Sequence, residues 1–155
     1  MPAAYTIAQI SAEQIDVTYP LVRNVEQALQ QAEWREICEA IIQRRVNLAG
    51  ANQIVIATTR TGYIRGICMF RVGSHPRYGQ LLDVPIFVAI SAGDVAGVSE
   101  ALLDHLRTLA HNQQCRVMRV WGLGADNLSR TLRKSEFDRW DHGLLVSVDV
   151  DTGDL

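Results

Sequence analysis

The chain has 155 residues, 48% of them hydrophobic and 21% charged, with a formal net charge of −2. This suits one folded domain, residues 1–155, with a buried core, and the mild negative balance supplies no global basic field for nucleic acid. No apolar run approaches the roughly 20 residues of a membrane helix, and MPAAYTIAQISAEQ lacks a basic n-region followed by an apolar h-region, so neither a membrane span nor a secretory leader is expected.

In chain order, AYTIAQI alternates and predicts a first strand. From Ser11 to about Arg45 the spacing is helical. Ser11 and Gln14 fit the capping-box pattern, and Pro20 is expected to kink or divide the region. Leu21, Val22, Val25 and Leu29, then Trp34, Ile37, Cys38, Ile41 and Ile42, predict two helices. QIVIATT, YIRGICMFRV and QLLDVPIFVAIS read as three strands of a meander, with a turn at Gly62 and a longer connection at GSHPRYG. A helix follows over about Val95–His111, with Val98, Ala101, Leu102, Leu106 and Leu109 on one face. CRVMRVWGL is a strand, Asp126–Lys134 a short helix, and FDRWDHGLLVSVDV one or two final strands. The expected class is α/β (α+β), in the order β-α-α-β-β-β-α-β-α-β. Cys38, Cys68 and Cys115, odd in number and widely spaced, predict buried thiols in a reducing cytoplasm and no disulfide framework or zinc site. His105 and His111 have no matching ligand set, so no metal is expected. Trp34, Trp121 and Trp140 are expected as core or rim aromatics.

In FVAISAGDVAGVSEALLDHLRTLA, residues 87–110, a buried strand enters an amphipathic helix through a glycine-containing turn. The first N–H groups of a helix lack intrahelical partners and carry partial positive charge, and a small residue lets an anion approach them. The same pattern also serves as an ordinary strand–helix connection.

The ordered set of motifs resembles the GCN5-related N-acetyltransferase (GNAT) superfamily over nearly the whole chain. TRTGYIRGICMF, with Gly62, Ile64 and Gly66, resembles the second and third strands of that family. The 87–110 segment resembles its fourth strand, acyl-CoA loop and helix. VMRVWGLGADNLSRTLRKSEFDRW, with Asn127, Thr131, Leu132, Lys134, Glu136 and Phe137, resembles its fifth strand and closing helix.

The resemblance implies a mixed, mostly antiparallel central sheet flanked by helices. It implies acetyl-CoA as co-substrate and an unidentified amine as acceptor, in a cytoplasmic protein with no nucleic-acid or membrane partner, and leaves a homodimer open. Strand contacts to the pantetheine arm would fall on Phe87, Val88 and Ala89. The pyrophosphate loop, (R/Q)-x-x-G-x-(G/A) in the family, falls on Asp94, Val95, Ala96, Gly97, Val98 and Ser99, with Glu100 next to it, and Asn127 on the closing helix completes the cofactor set.

Asp94 replaces the usual Arg or Gln. It is expected either to repel the pyrophosphate, by about 1 kcal/mol per charge pair in a solvated setting, or to cap the helix. Leu132 stands at the position of the family's tyrosine acid and cannot donate a proton. Asp83 is the candidate base, on the argument that it shares alternation parity with Phe87 and Ala89; its competing reading is a solvated strand-end carboxylate. His75, Arg77 and Tyr78 are expected either at an acceptor mouth or in a polar hairpin loop. The alternative to an enzyme is a catalytically degenerate domain of the same fold that binds an acyl-CoA or a protein partner.

Overall fold

The computed structural model describes residues 4–44, 50–90, 93–121, 137–140 and 143–148. Its strands are β1 (Tyr5–Gln9), β2 (Gln53–Thr59), β3 (Ile64–His75), β4 (Gly79–Ala89), β5 (Val117–Trp121), β6 (Phe137–Trp140) and β7 (Gly143–Ser147). The α-helices are α1 (Ile15–Arg23), α2 (Gln31–Gln43) and α3 (Val95–Asn112), with a 3-10 turn at Ala12–Gln14 before α1. All seven strands form one sheet in the order β1-β2-β3-β4-β5-β7-β6. Every neighbouring pair is antiparallel except β4 and β5, which run parallel. The expected helix over Asp126–Lys134 lies outside the described residues.

Two apolar layers sandwich the sheet. On one face Val55, Ala57, Cys68, Phe70, Leu82, Val84 and Phe87 pack against Val98, Leu102, Leu103 and Leu106 of α3. On the other, Ile54, Ile56, Ile67, Met69, Ile86 and Val88 pack with Leu21, Val22, Trp34 and Cys38 of α1 and α2. Trp34 is fully buried, and its Nε1–H donates to Ile15 O (3.1 Å) and Thr18 Oγ1 (3.2 Å), which ties α2 to α1.

Pro20 does not divide the first helical region. The helix α1 runs through it and ends at Arg23, and the break between helices is the segment 24–30. Proline costs one backbone bond there but leaves the buried stripe Ile15, Thr18, Leu21 and Val22 intact. The next helix starts at a signal the sequence reading missed: the Gln30 N–H donates to Glu33 Oε1 (3.0 Å), one half of a capping box with Gln as N-cap.

The buried face of α3 carries Val98, Ser99, Leu102, Leu103, Leu106 and Ala110, rotated slightly from the expected set. The helix lies close on β3 because Gly66 has no side chain. A Cβ there would sit 2.8 Å from Leu102 Cδ1 and 2.9 Å from the Val88 carbonyl oxygen. All three cysteines are buried free thiols; burial raises each one's pKa, that of Cys38 to about 12. Among the described residues no helix is long and apolar enough to cross a membrane.

Candidate functional site

Among the described residues the parallel pairing of β4 with β5 covers four residue pairs, from Leu81↔Val117 to Val84↔Val120. Beyond Val84, β4 continues to Ala89 in register with β3, Cys68 opposite Phe87 and Gly66 opposite Ala89. Among the described residues β4 therefore has no partner on its β5 side after Val84, and a gap opens there. Ile90 N–H donates to Arg65 O on β3 at 2.7 Å. Successive residues of a strand direct their backbone groups to opposite sides, so those of Phe87 and Ala89 point away from β3 and into the gap. A gap lined by strand N–H and C=O groups can pair an extended amide chain.

At the top of the gap α3 begins, and Asp94 is its N-cap. Its Oδ1 accepts the Gly97 N–H at 3.1 Å, and its Oδ2 accepts the Tyr5 hydroxyl at 2.6 Å. Of the two expected roles the structure shows the cap. The carboxylate lies over Gly97 so closely that a Cβ at this glycine would fall inside it. Gly97 is thus required by the cap, whether or not a phosphate approaches. Val95, Ala96 and Glu100 are exposed at this end. The Val98 and Ser99 side chains are buried, and Val98 N–H bonds to Asp94 O at 3.1 Å. Tyr5, from the first strand, was missed: a tyrosine 89 positions away in sequence gives no local signal.

Asp83 departs from both expectations. It is 5% exposed, so it is no solvated strand-end carboxylate. Its Oδ1 accepts Trp121 Nε1–H (2.6 Å) and Arg119 Nε–H (3.1 Å), and Arg71 Nε lies 3.8 Å from Oδ2. Nor does it share a face with Phe87 and Ala89. The β3–β4 register shifts between Met69↔Ile86 and Arg71↔Asp83, which places one extra residue of β4 around Pro85. Leu82 and Val84 therefore face α3 together with Phe87, while Ile86 and Val88 face α1 and α2. The parity argument fails at this bulge. Asp83 clasps β3, β4 and β5 just below the point where the described pairing of β4 with β5 ends. A proline inside a central strand was the available signal, since proline is tolerated there mainly at bulges.

The other candidates separate cleanly. Phe87 is buried under α3, so it offers the gap backbone only. Val88 departs from its expected role: its side chain is buried on the opposite face and its backbone groups point to β3. Asn127 and Leu132 lie outside the described residues. His75, Arg77 and Tyr78 form the tip of the β3–β4 hairpin, where Arg77 N–H donates to His75 Nδ1 (3.0 Å) and the His75 and Tyr78 rings stack at 5.0 Å. Gly79 to Ala89 spans about 33 Å of strand at ~3.3 Å per residue, which puts this tip at the far end of β4 from α3. Burial lowers the pKa of His105. Among the described residues no group of His, Cys, Asp and Glu is placed to hold a metal.

No family model and no curated protein matches the chain. Many solved structures do. An aminoglycoside N-acetyltransferase, AAC(6')-Iy, in complex with CoA superposes with a TM-score of 0.69 at 13% identity, over 92% of this chain and 93% of that one. A ribosomal-protein-alanine N-acetyltransferase from Brucella melitensis biovar Abortus 2308 gives 0.61 at 20% identity, over 89% and 95%. A structure described as a transcriptional regulator from Bacillus halodurans C-125 gives 0.64 at 11% identity, over 89% and 99%. The fold is that of the GNAT superfamily.

Proposed function

We propose that the protein is an acyl-CoA-dependent N-acyltransferase that moves an acetyl group from acetyl-CoA to an amine. One observation carries this reading: among the described residues β4 pairs with β5 only as far as Val84 and Val120, and beyond them the backbone groups of Phe87 and Ala89 point away from β3 into the opening. They can pair with an extended pantetheine arm and, at its end, donate to the thioester oxygen as negative charge develops there. The neutral amine attacks the carbonyl carbon, the C–S bond breaks, the ammonium proton passes to water, and the departing thiolate takes a proton.

The pyrophosphate would meet the N-terminus of α3 around residues 94–100. Gly97 N–H is already held by Asp94, so fewer backbone donors remain for phosphate and a negative charge stands beside it. Weak cofactor affinity follows. Asp83 is assigned no proton transfer, because Oδ1 accepts two hydrogen bonds and Oδ2 faces Arg71. Leu132, at the family's tyrosine position, leaves protonation of the thiolate to solvent and makes transfer slow.

The occupied cap also favours a second reading, a domain that binds an acyl-CoA without turning it over. Thiol release from acetyl-CoA across a panel of amines separates the two. Turnover on any amine supports the transferase, binding without turnover supports the second reading, and no binding at millimolar CoA removes both.

A further inference from the structure

A second opening adjoins the gap on the α1/α2 side of the sheet. It is a cavity of about 300 Å³, lined by Arg71, Gly73, Ser74, Leu81, Asp83 and Arg119, at the small end of the range for small-molecule sites. These lining residues carry two guanidinium groups and one carboxylate. Arg119 is committed to Asp83 through a 3.1 Å hydrogen bond. Arg71 is not: its Nε stands 3.8 Å from Asp83 Oδ2 and is half exposed, an ion pair without a hydrogen bond. The planar fork of Arg71 is therefore held beside the cavity by charge while keeping its donors for another acceptor. The space beside Arg71 on its own strand is open, since a Cβ at Gly73 would meet nothing within 4 Å.

We propose that this cavity is an anion subsite that takes the carboxylate of a carboxylate-bearing amine acceptor. Arg71 grips the carboxylate with its terminal N–H pair, the geometry that arginine and carboxylate share. The buried Asp83 keeps Arg119 and Arg71 in place and is not itself the binding group. Asp83, at the subsite, and Ile86, within the gap, are three residues of strand apart, about 10 Å. An acceptor whose amine and carboxylate are separated by a short chain spans that distance. A purely structural ion cluster has no need of the second arginine or of the open volume beside it. That the anion belongs to an acyl acceptor rests on the transferase reading; that the cavity binds a carboxylate does not.

The test compares 6-aminohexanoate with 1-aminohexane, which differ by the carboxylate. Each is titrated calorimetrically into the full chain with CoA present, and each is also tried as an acceptor of acetyl from acetyl-CoA. The carboxylate compound is expected to bind at least about tenfold more tightly. Arg71→Gln, at a half-exposed position, should cut that preference to within about twofold while leaving CoA affinity unchanged and the unfolding transition cooperative. Arg71→Lys should restore part of it, by charge without the fork. Arg71-dependent binding of 6-aminohexanoate with no acetylation of either amine keeps the subsite and counts against the transferase reading. Equal binding of the two amines, or a preference that survives Arg71→Gln, overturns the subsite.

Discussion

The middle of β4 and the turn beyond its end handle a carboxylate in opposite ways. Midway along the strand, Asp83 is buried, accepts two hydrogen bonds, and faces cations from both neighbouring strands. Past the end of the strand, Asp94 is exposed; it accepts the Gly97 N–H of a helix N-terminus and the Tyr5 hydroxyl. The first arrangement locks three strands together where they are paired. The second closes the top of the gap beside β4. Rigidity below and an opening above are what a site between parted strands needs. The bulge at Pro85 is the boundary between the two regimes.

Breaking the lower arrangement should cost most. Asp83→Ala removes a buried acceptor shared by the Trp121 N–H and Arg119, and should destabilise the fold by about 3 kcal/mol in urea unfolding. A loss under about 1 kcal/mol would mean that the clasp is ornamental and that the strands are held by their apolar faces alone. Gly66→Ala strikes the contact between β3 and α3, opposite Ala89. The new methyl can push Leu102 aside but not the Val88 carbonyl, so a loss of about 2 kcal/mol is expected.

The upper arrangement should be cheaper to disturb. Asp94→Ala and Gly97→Ala should each cost about 1 kcal/mol, because both dislodge the same cap. Their combination should cost no more than either alone, since with the carboxylate gone the alanine methyl has nothing to strike and favours the helix over glycine. Additive losses in a double-mutant cycle would separate Gly97 from the cap. Asp94→Asn sharpens the contrast further. Asparagine keeps the cap but not the charge, so stability should hold while CoA binding tightens by about 1 kcal/mol, and the gain should shrink in salt. Unchanged affinity at low salt would place the phosphates away from this helix.

The order of strands and helices was legible because hydrophobic spacing and turn residues report local structure. The strand boundaries of β2, β5 and α3 follow from runs such as QIVIATT and from the helical stripe beginning at Val98. What escaped the sequence depends on contacts distant along the chain. The GSHPRYG stretch reads as a long polar loop, yet Ser74 and His75 pair with Gln80 and Gly79, and the strands run almost to the tip. Asp83 was selected on a period-two argument that one inserted residue at the bulge reversed. Its partners Arg119 and Trp121 lie on a strand 36 and 38 positions away, and no local pattern joins them. The alternatives at Asp94 were visible in its residue type, but the choice between them needed the backbone of Gly97 and the hydroxyl of Tyr5.

The proposed entry of CoA between β4 and β5, paired with backbone at Phe87 and Ala89, is open to a single measurement: amide chemical shifts followed during a CoA titration. The largest changes are expected at Phe87, Ala89 and residues 94–97, with residues 75–79 at the hairpin tip unmoved. Saturable binding that shifts the tip and leaves Phe87 and Ala89 unmoved would contradict it.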